Sequence, residues 1–77
     1  MPNAWRSMWV MVSYDLPVQS PKQRRQENQF RKFIEREGYH RINFSVYARF
    51  CGSIQSTKSA KERVRKQIPE TGHVFMI

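Results

Sequence analysis

The single aspartate of the chain, Asp15, closes an apolar run, Met8-Trp9-Val10-Met11-Val12-Ser13-Tyr14-Asp15, and the other five acids are all glutamates. A strand that delivers a carboxylate to its rim sets a reactive group on a rigid support, so Asp15 is the first candidate for catalysis and for holding a metal. The competing role is a loop cap, with the carboxylate accepting backbone N–H groups of residues 16–19. Tyr14 is a second catalytic candidate, set against an ordinary place in the core. Ser45 has no base near it in sequence and reads as a hydroxyl bonding backbone at a bend. His40 and His73 are isolated, and the one thiol, Cys51, can make no intrachain disulfide and belongs to no zinc-spaced Cys/His cluster.

The charge points elsewhere on the chain. Fourteen Lys/Arg against six acids give +8 over 77 residues, and nine of the fourteen are arginine, whose planar fork suits phosphate. A polyanion is the partner class this excess favours. Arg24, Arg25, Arg31 and Lys32 on one predicted helix are the first candidates for nucleic-acid backbone, Arg63, Arg65 and Lys66 on another the second. An anionic membrane surface fits less well, because the cations face no stripe of bulky insertion residues. The opening residues MPNAWRS carry one arginine and no apolar signal core, and no run approaches a membrane span. The expectation is a cytoplasmic, soluble protein with no membrane partner.

These residues need elements to position them, and the chain supplies one domain over residues 1–77 without repeats or linkers. Residues 1–7 read as a short extension, with Trp5 lying over the first strand. Residues 8–14 are apolar on both faces, as in a central strand, and Leu16-Pro17 stops them. Ser20-Pro21-Lys22-Gln23 is a helix start, with serine at the N-cap, proline at the first helical position and glutamine closing a capping box. That helix should run over residues 21–37, with Gly38 as its left-handed terminator. Residues 39–50 alternate Ile42, Phe44, Val46, Ala48 and Phe50 against a polar face of Arg41, Asn43, Ser45, Tyr47 and Arg49. Twelve residues are long for one strand, so a bend or tight hairpin belongs near residues 43–45. A second helix starts at Ser56 or Ser59 and runs to Gln67 on a thin stripe of Ala60, Val64 and Ile68; residues 73–77 form a last strand. Two helices covering one face of a β-α-β-β-α-β chain predict an α+β, ferredoxin-like sandwich. A domain of this size buries only roughly 60% of its unfolded surface, so self-association is a natural supplement.

Within this frame the residues resemble a known family. Trp9 through Pro17, Gln29-Phe30-Arg31-Lys32-Phe33, Glu37-Gly38-Tyr39 and above all Phe44-Ser45-Val46-Tyr47-Ala48-Arg49 are similar to the CRISPR-associated Cas two family, in the form found with type II systems. The resemblance runs from Met8 to Ile77. It implies a ferredoxin-like homodimer whose two Asp15 side chains face one another across a cleft that holds Mg2+. It also implies a role in spacer acquisition, in which the dimer bridges Cas one integrase dimers and holds double-stranded prespacer DNA. Family members are described as metal-dependent endonucleases on RNA or DNA. By position the resemblance carries Asp15 and Tyr14 over as catalytic, Arg41 as nucleic-acid-binding, and Ser45 and Tyr47 as motif residues. Members of this family continue into a final strand that pairs with the partner subunit, and this chain shows none.

Two other classes compete with the adaptation subunit. One is a stand-alone metal-dependent endonuclease akin to the toxin ribonucleases. The other is a non-catalytic RNA-recognition module, which needs aromatics on an exposed sheet face. The face Arg41, Asn43, Ser45, Tyr47 and Arg49 offers one aromatic and argues against it.

Overall fold

The computed structural model describes residues 8–77, so the expected placement of Trp5 lies outside the described residues. The elements are β1 (Trp9–Asp15), α1 (Pro21–Arg36), β2 (His40–Asn43), β3 (Val46–Phe50), α2 (Ile54–Arg65) and β4 (His73–Met76). The sheet order is β2-β3-β1-β4, with each neighbouring pair antiparallel. This is the ferredoxin-like α+β arrangement, with β1 interior to the sheet.

Local chemistry explains the first helix. Ser20 Oγ accepts from Gln23 N at 3.1 Å while Gln23 Oε1 accepts from Ser20 N at 3.1 Å, a complete capping box. The helical segment ends at Arg36, and Gly38 follows at a φ of 95°, the left-handed conformation that favours glycine. Phe30 and Ile34 are buried and Phe33 packs beside them, the side expected to meet the sheet.

The second helix starts earlier than the sequence predicts. Ser53 is the N-cap and accepts from Ser56 N at 3.1 Å, so Ser56 lies inside the first turn and Ser59 in the second. The reason is Gly52-Ser53, which offers the cap to the chain before the later serines are reached. Starting at Ile54 brings Thr57 onto the stripe with Ala60 and Val64, and all three are buried. Thr57 satisfies its hydroxyl on Ile54 O at 2.6 Å.

The expected break in residues 39–50 falls at Phe44-Ser45, between β2 and β3, and a register shift separates Arg41 from Asn43. That shift and turn also correct the face assignment. Register pairs Val10 with Arg49 and Val12 with Tyr47 on one face, and Trp9 with Phe50 and Met11 with Ala48 on the other. Tyr47 is 1% exposed, under the helices, whereas Phe44 is 83% exposed. The alternation is real, but its helix-covered member is the set containing Tyr47 and Arg49. One residue of slip exchanges the faces of a strand, and register here is set by β1, far away in sequence.

The core therefore lies between the helices and one face of the sheet, built on Val10, Val12 and Tyr14 from β1 with Phe30, Ile34, Tyr47 and Val64. Tyr14 meets Phe30 edge-on at 5.4 Å and stacks on Tyr47 at 6.0 Å. The other face carries Trp9, Met11, Phe50 and Phe75, all exposed, with Trp9 and Phe50 in an edge-to-face pair at 5.2 Å. Ile77 continues β4 along β1, exchanging backbone hydrogen bonds with Met11 in both directions.

Candidate functional site

β1 ends with Tyr14 directed under the helices and Asp15 on the helix-free side. Among the described residues no hydrogen bond or ion pair engages the Asp15 carboxylate, which is exposed. The loop-cap role is therefore not the one taken. The Gln19 and Ser20 N–H groups go instead to Gln23 Oε1, at 3.0 and 3.1 Å. A carboxylate left unpaired at the rim of an interior strand is available to a ligand.

Around this rim lies a cavity of about 360 Å³. It brings together Tyr14, Asp15, Arg31, Arg41, Ser45 and Tyr47, residues contributed by β1, α1, the β2–β3 hairpin and β3. The hairpin seats Ser45 there by a backbone bond, Tyr14 N donating to Ser45 O at 3.0 Å; the group that bonds is the Ser45 carbonyl and not the expected hydroxyl. Arg41 donates from Nε to Asn43 O at 3.3 Å and lies 5.8 Å from the centre of the Phe44 ring. Arg31 donates to Asn28 Oδ1 at 2.5 Å and sits 3.8 Å from Glu27.

Sequence reasoning missed Glu27. It lines the same cavity, and its Oε2 accepts from the Tyr14 hydroxyl at 3.0 Å. The spacing 27, 30, 34 shared with buried Phe30 and Ile34 was the available signal, since it puts Glu27 on the inward side of the helix. Burial first, then the Glu27 carboxylate, push the Tyr14 phenol well above its ordinary range. At neutral pH Tyr14 is a hydrogen-bond donor wedged into the core, which suits positioning better than proton transfer.

The remaining cations divide by what they already touch. Arg24 clamps the loop before its helix, donating to Val18 O at 3.3 Å and Gln19 O at 3.1 Å. Arg63 is held by Glu37, a bond that raises the pKa of its guanidinium, and Arg65 pairs with Glu62 at 2.8 Å. Among the described residues Arg25, Lys32 and Lys66 have no such partner and are exposed. Lys22 and Arg36, not singled out by the sequence, are exposed as well. Positions 22, 25, 29, 32 and 36 keep helical spacing, so the four cations form one ridge with Gln29 along α1, about 21 Å from end to end at 1.5 Å per residue. That ridge faces away from the sheet and from the Asp15 side. The cavity gathers Arg31 and Arg41 next to Asp15, while Arg24, Arg25, Lys32 and the α2 cations lie outside its lining.

The exposed aromatics also revise one earlier argument. The face with a single aromatic is the covered one, and the helix-free face presents Trp9, Phe50 and Phe75. The objection to base stacking that rested on a lack of aromatics thus falls. A different one replaces it, since the residues that register places on this face include no lysine or arginine. Single-stranded nucleic acid on a sheet needs cations beside its stacking platforms.

Comparison with known proteins agrees with this geometry. The model of the CRISPR associated protein Cas2 family matches residues 8–77. The chain belongs to the Cas2 family. It is 44% identical over 77 residues to CRISPR-associated endoribonuclease Cas2 2 of Rhodospirillum rubrum, covering 100% of this chain and 69% of that protein. The CRISPR-associated endoribonuclease Cas2 of Flavobacterium psychrophilum is 36% identical over 72 residues, 94% of this chain and 63% of the relative. That of Campylobacter jejuni is 37% identical over 67 residues, 87% of this chain and 47% of the relative. The chain thus spans between about half and two thirds of the length of these Cas2 relatives. Among the described residues no helix is long and apolar enough to cross a membrane.

Proposed function

We propose that this chain is an endonuclease subunit that hydrolyses a nucleic-acid phosphodiester at Asp15, working as a homodimer. The observation that carries this reading is the Asp15 carboxylate, unpaired and exposed at the rim of an interior strand, beside a cavity lined by Arg31 and Arg41. The Cas2 relatives, named as endoribonucleases, support RNA as the substrate.

Magnesium takes oxygen ligands and commonly one or two carboxylates with water and substrate phosphate. Among the described residues no three or more His, Cys, Asp or Glu side chains gather into a metal cluster, and Glu27 is engaged by Tyr14 and Arg31. At this cavity one chain therefore offers one unengaged carboxylate, Asp15, and the fit requires a second copy to supply another. When bound, such a cation polarises the phosphodiester and acidifies an attacking water. Arg31 and Arg41 hold the scissile strand by its phosphates, and Tyr14 fixes the wall behind them through Glu27.

The second copy is also what the helix-free face calls for. Trp9, Met11, Phe50, Phe75 and Ile77 make an apolar patch at the end of which Asp15 stands, and its lack of Lys and Arg favours an uncharged, self-complementary occupant. Phe50→Glu tests both halves at once, by sedimentation equilibrium and by cleavage of labelled RNA in Mg2+ with and without chelator. The wild type should be a dimer that cleaves, and the variant a monomer that does not. A monomeric variant that still cleaves RNA overturns the two-copy site.

A second reading has its own observation. The ridge of Lys22, Arg25, Lys32 and Arg36 lies on the opposite side from Asp15, so holding duplex DNA and cleaving a strand are spatially separate tasks. That supports a role in spacer acquisition, in which the dimer bridges Cas one integrase dimers and binds prespacer DNA by its backbone. Failure to co-elute with a Cas one integrase counts against it.

A further inference from the structure

We propose that Asp15 and His73 form a mixed oxygen–nitrogen metal half-site that prefers late first-row divalent cations to magnesium. The sequence leaves His73 isolated, but the sheet does not: β4 pairs with β1 in the register Asp15↔His73. Directly opposed cross-strand residues share a face, with Cβ atoms roughly 5 Å apart, a separation that one cation can bridge. Both side chains are exposed on the helix-free face. Among the described residues neither has a hydrogen-bond or ion-pair partner.

The turn before β4 holds this pair in place. Gly72 has a φ of +99°, and a Cβ there would lie 2.7 Å from Asp15 O and 2.7 Å from Leu16 Cδ2. Only glycine lets the turn lie this close against the end of β1, and His73 follows directly. The imidazole is stacked on Phe75 at 6.5 Å with 23° between the rings, which orients it. One carboxylate oxygen and one imidazole nitrogen suit cobalt, nickel or zinc, and manganese more weakly, while magnesium rarely accepts the nitrogen. The inference deepens the Asp15 site proposed above and names its metal class; the ligand pair itself requires only one chain.

Metal binding by the full chain is read by calorimetry with Co2+ and Mg2+, and by pulsed electron paramagnetic resonance with Mn2+. Co2+ should bind at least about tenfold more tightly than Mg2+, and the Mn2+ complex should show a nitrogen coupling. His73→Asn, an exposed change whose folding is checked by circular dichroism, should lower Co2+ affinity about tenfold, leave Mg2+ affinity unaltered and abolish the coupling. Gly72→Ala keeps both ligands but parts them, and should weaken Co2+ in the same direction. His40→Asn, on β2 at the other edge of the sheet, should change neither metal. Wild-type Co2+ affinity in His73→Asn, or no nitrogen coupling in the wild type, overturns the half-site. RNA left uncut by a chain that binds metal as described would sink the endonuclease reading alone.

Discussion

The two faces of β1 do different work. Val10, Val12 and Tyr14 are locked between sheet and helices, while Trp9, Met11, Ser13 and Asp15 alternate with them on a side that no helix among the described residues covers. On the covered face Tyr14 donates to Glu27 and Thr57 to its own helix, and among the described residues the one fully buried side-chain polar atom without a partner is the Tyr39 hydroxyl. On the open face the carboxylate is free and the aromatics are half exposed. The covered face fixes the fold, and in the function proposed above the open face takes a second copy, with the cation and the substrate at its Asp15 rim beside Arg31 and Arg41.

Substitutions on the two faces should separate accordingly. Tyr47→Ala removes a ring at 1% exposure and should cost about 4 kcal/mol in urea unfolding, enough to threaten so small a domain. Trp9→Ala should leave the stability of the dilute single chain within about 1 kcal/mol and weaken self-association about thirtyfold in sedimentation. Equal losses of folding stability at the two positions would erase the distinction.

The solvent side of α1 is a third surface, and it sharpens the contrast by charge. Lys32→Glu with Arg25→Glu should flatten the salt dependence of duplex DNA binding, reducing the slope of log K against log salt by about two. RNA cleavage at the Asp15 rim should persist. A slope unchanged by both substitutions would move the polyanion site elsewhere.

The smallest effect concerns the covered face's one defect. Tyr39 is 3% exposed and its hydroxyl has no partner among the described residues. Tyr39→Phe should raise stability by about 1 kcal/mol at neutral pH, because it deletes an unsatisfied buried group. Burial foremost pushes the Tyr39 phenol up to about 12 from 10.0. The fold favours the neutral form, so this contribution is complete below pH 10 and is lost as pH rises toward about 12. Tyr39→Phe should therefore unfold less steeply in alkali, with Tyr14, also raised, accounting for what loss remains.

Much of this division was legible in the sequence, and the rest has physical reasons for being hidden. The capping box at Ser20 and Gln23, the stop at Leu16-Pro17 and the turn at Phe44-Ser45 are encoded by neighbouring residues, and each appears where expected. Asp15 at the strand's end was equally local. The covered face of β3 was not, because it depends on a register shift and on pairing with β1. The start of α2 turned on a competition among Ser53, Ser56 and Ser59 that spacing alone does not decide. Glu27 under Tyr14 and His73 beside Asp15 are meetings of residues distant in sequence, created by the packing of α1 and the order of the strands. The basic ridge was half seen, since Arg25 and Lys32 were chosen by density of charge and Lys22 and Arg36 answer only to helical phase.

The most direct measurement is Asp15→Asn followed by two readouts on the same preparation, thermal unfolding and divalent-dependent RNA cleavage. An acid that serves the open face and not the fold should leave the midpoint within about 2 °C, given its exposure and lack of partners, while cleavage falls at least about a hundredfold. A large drop in the midpoint, or cleavage that survives unchanged, would contradict the assignment of Asp15 to function.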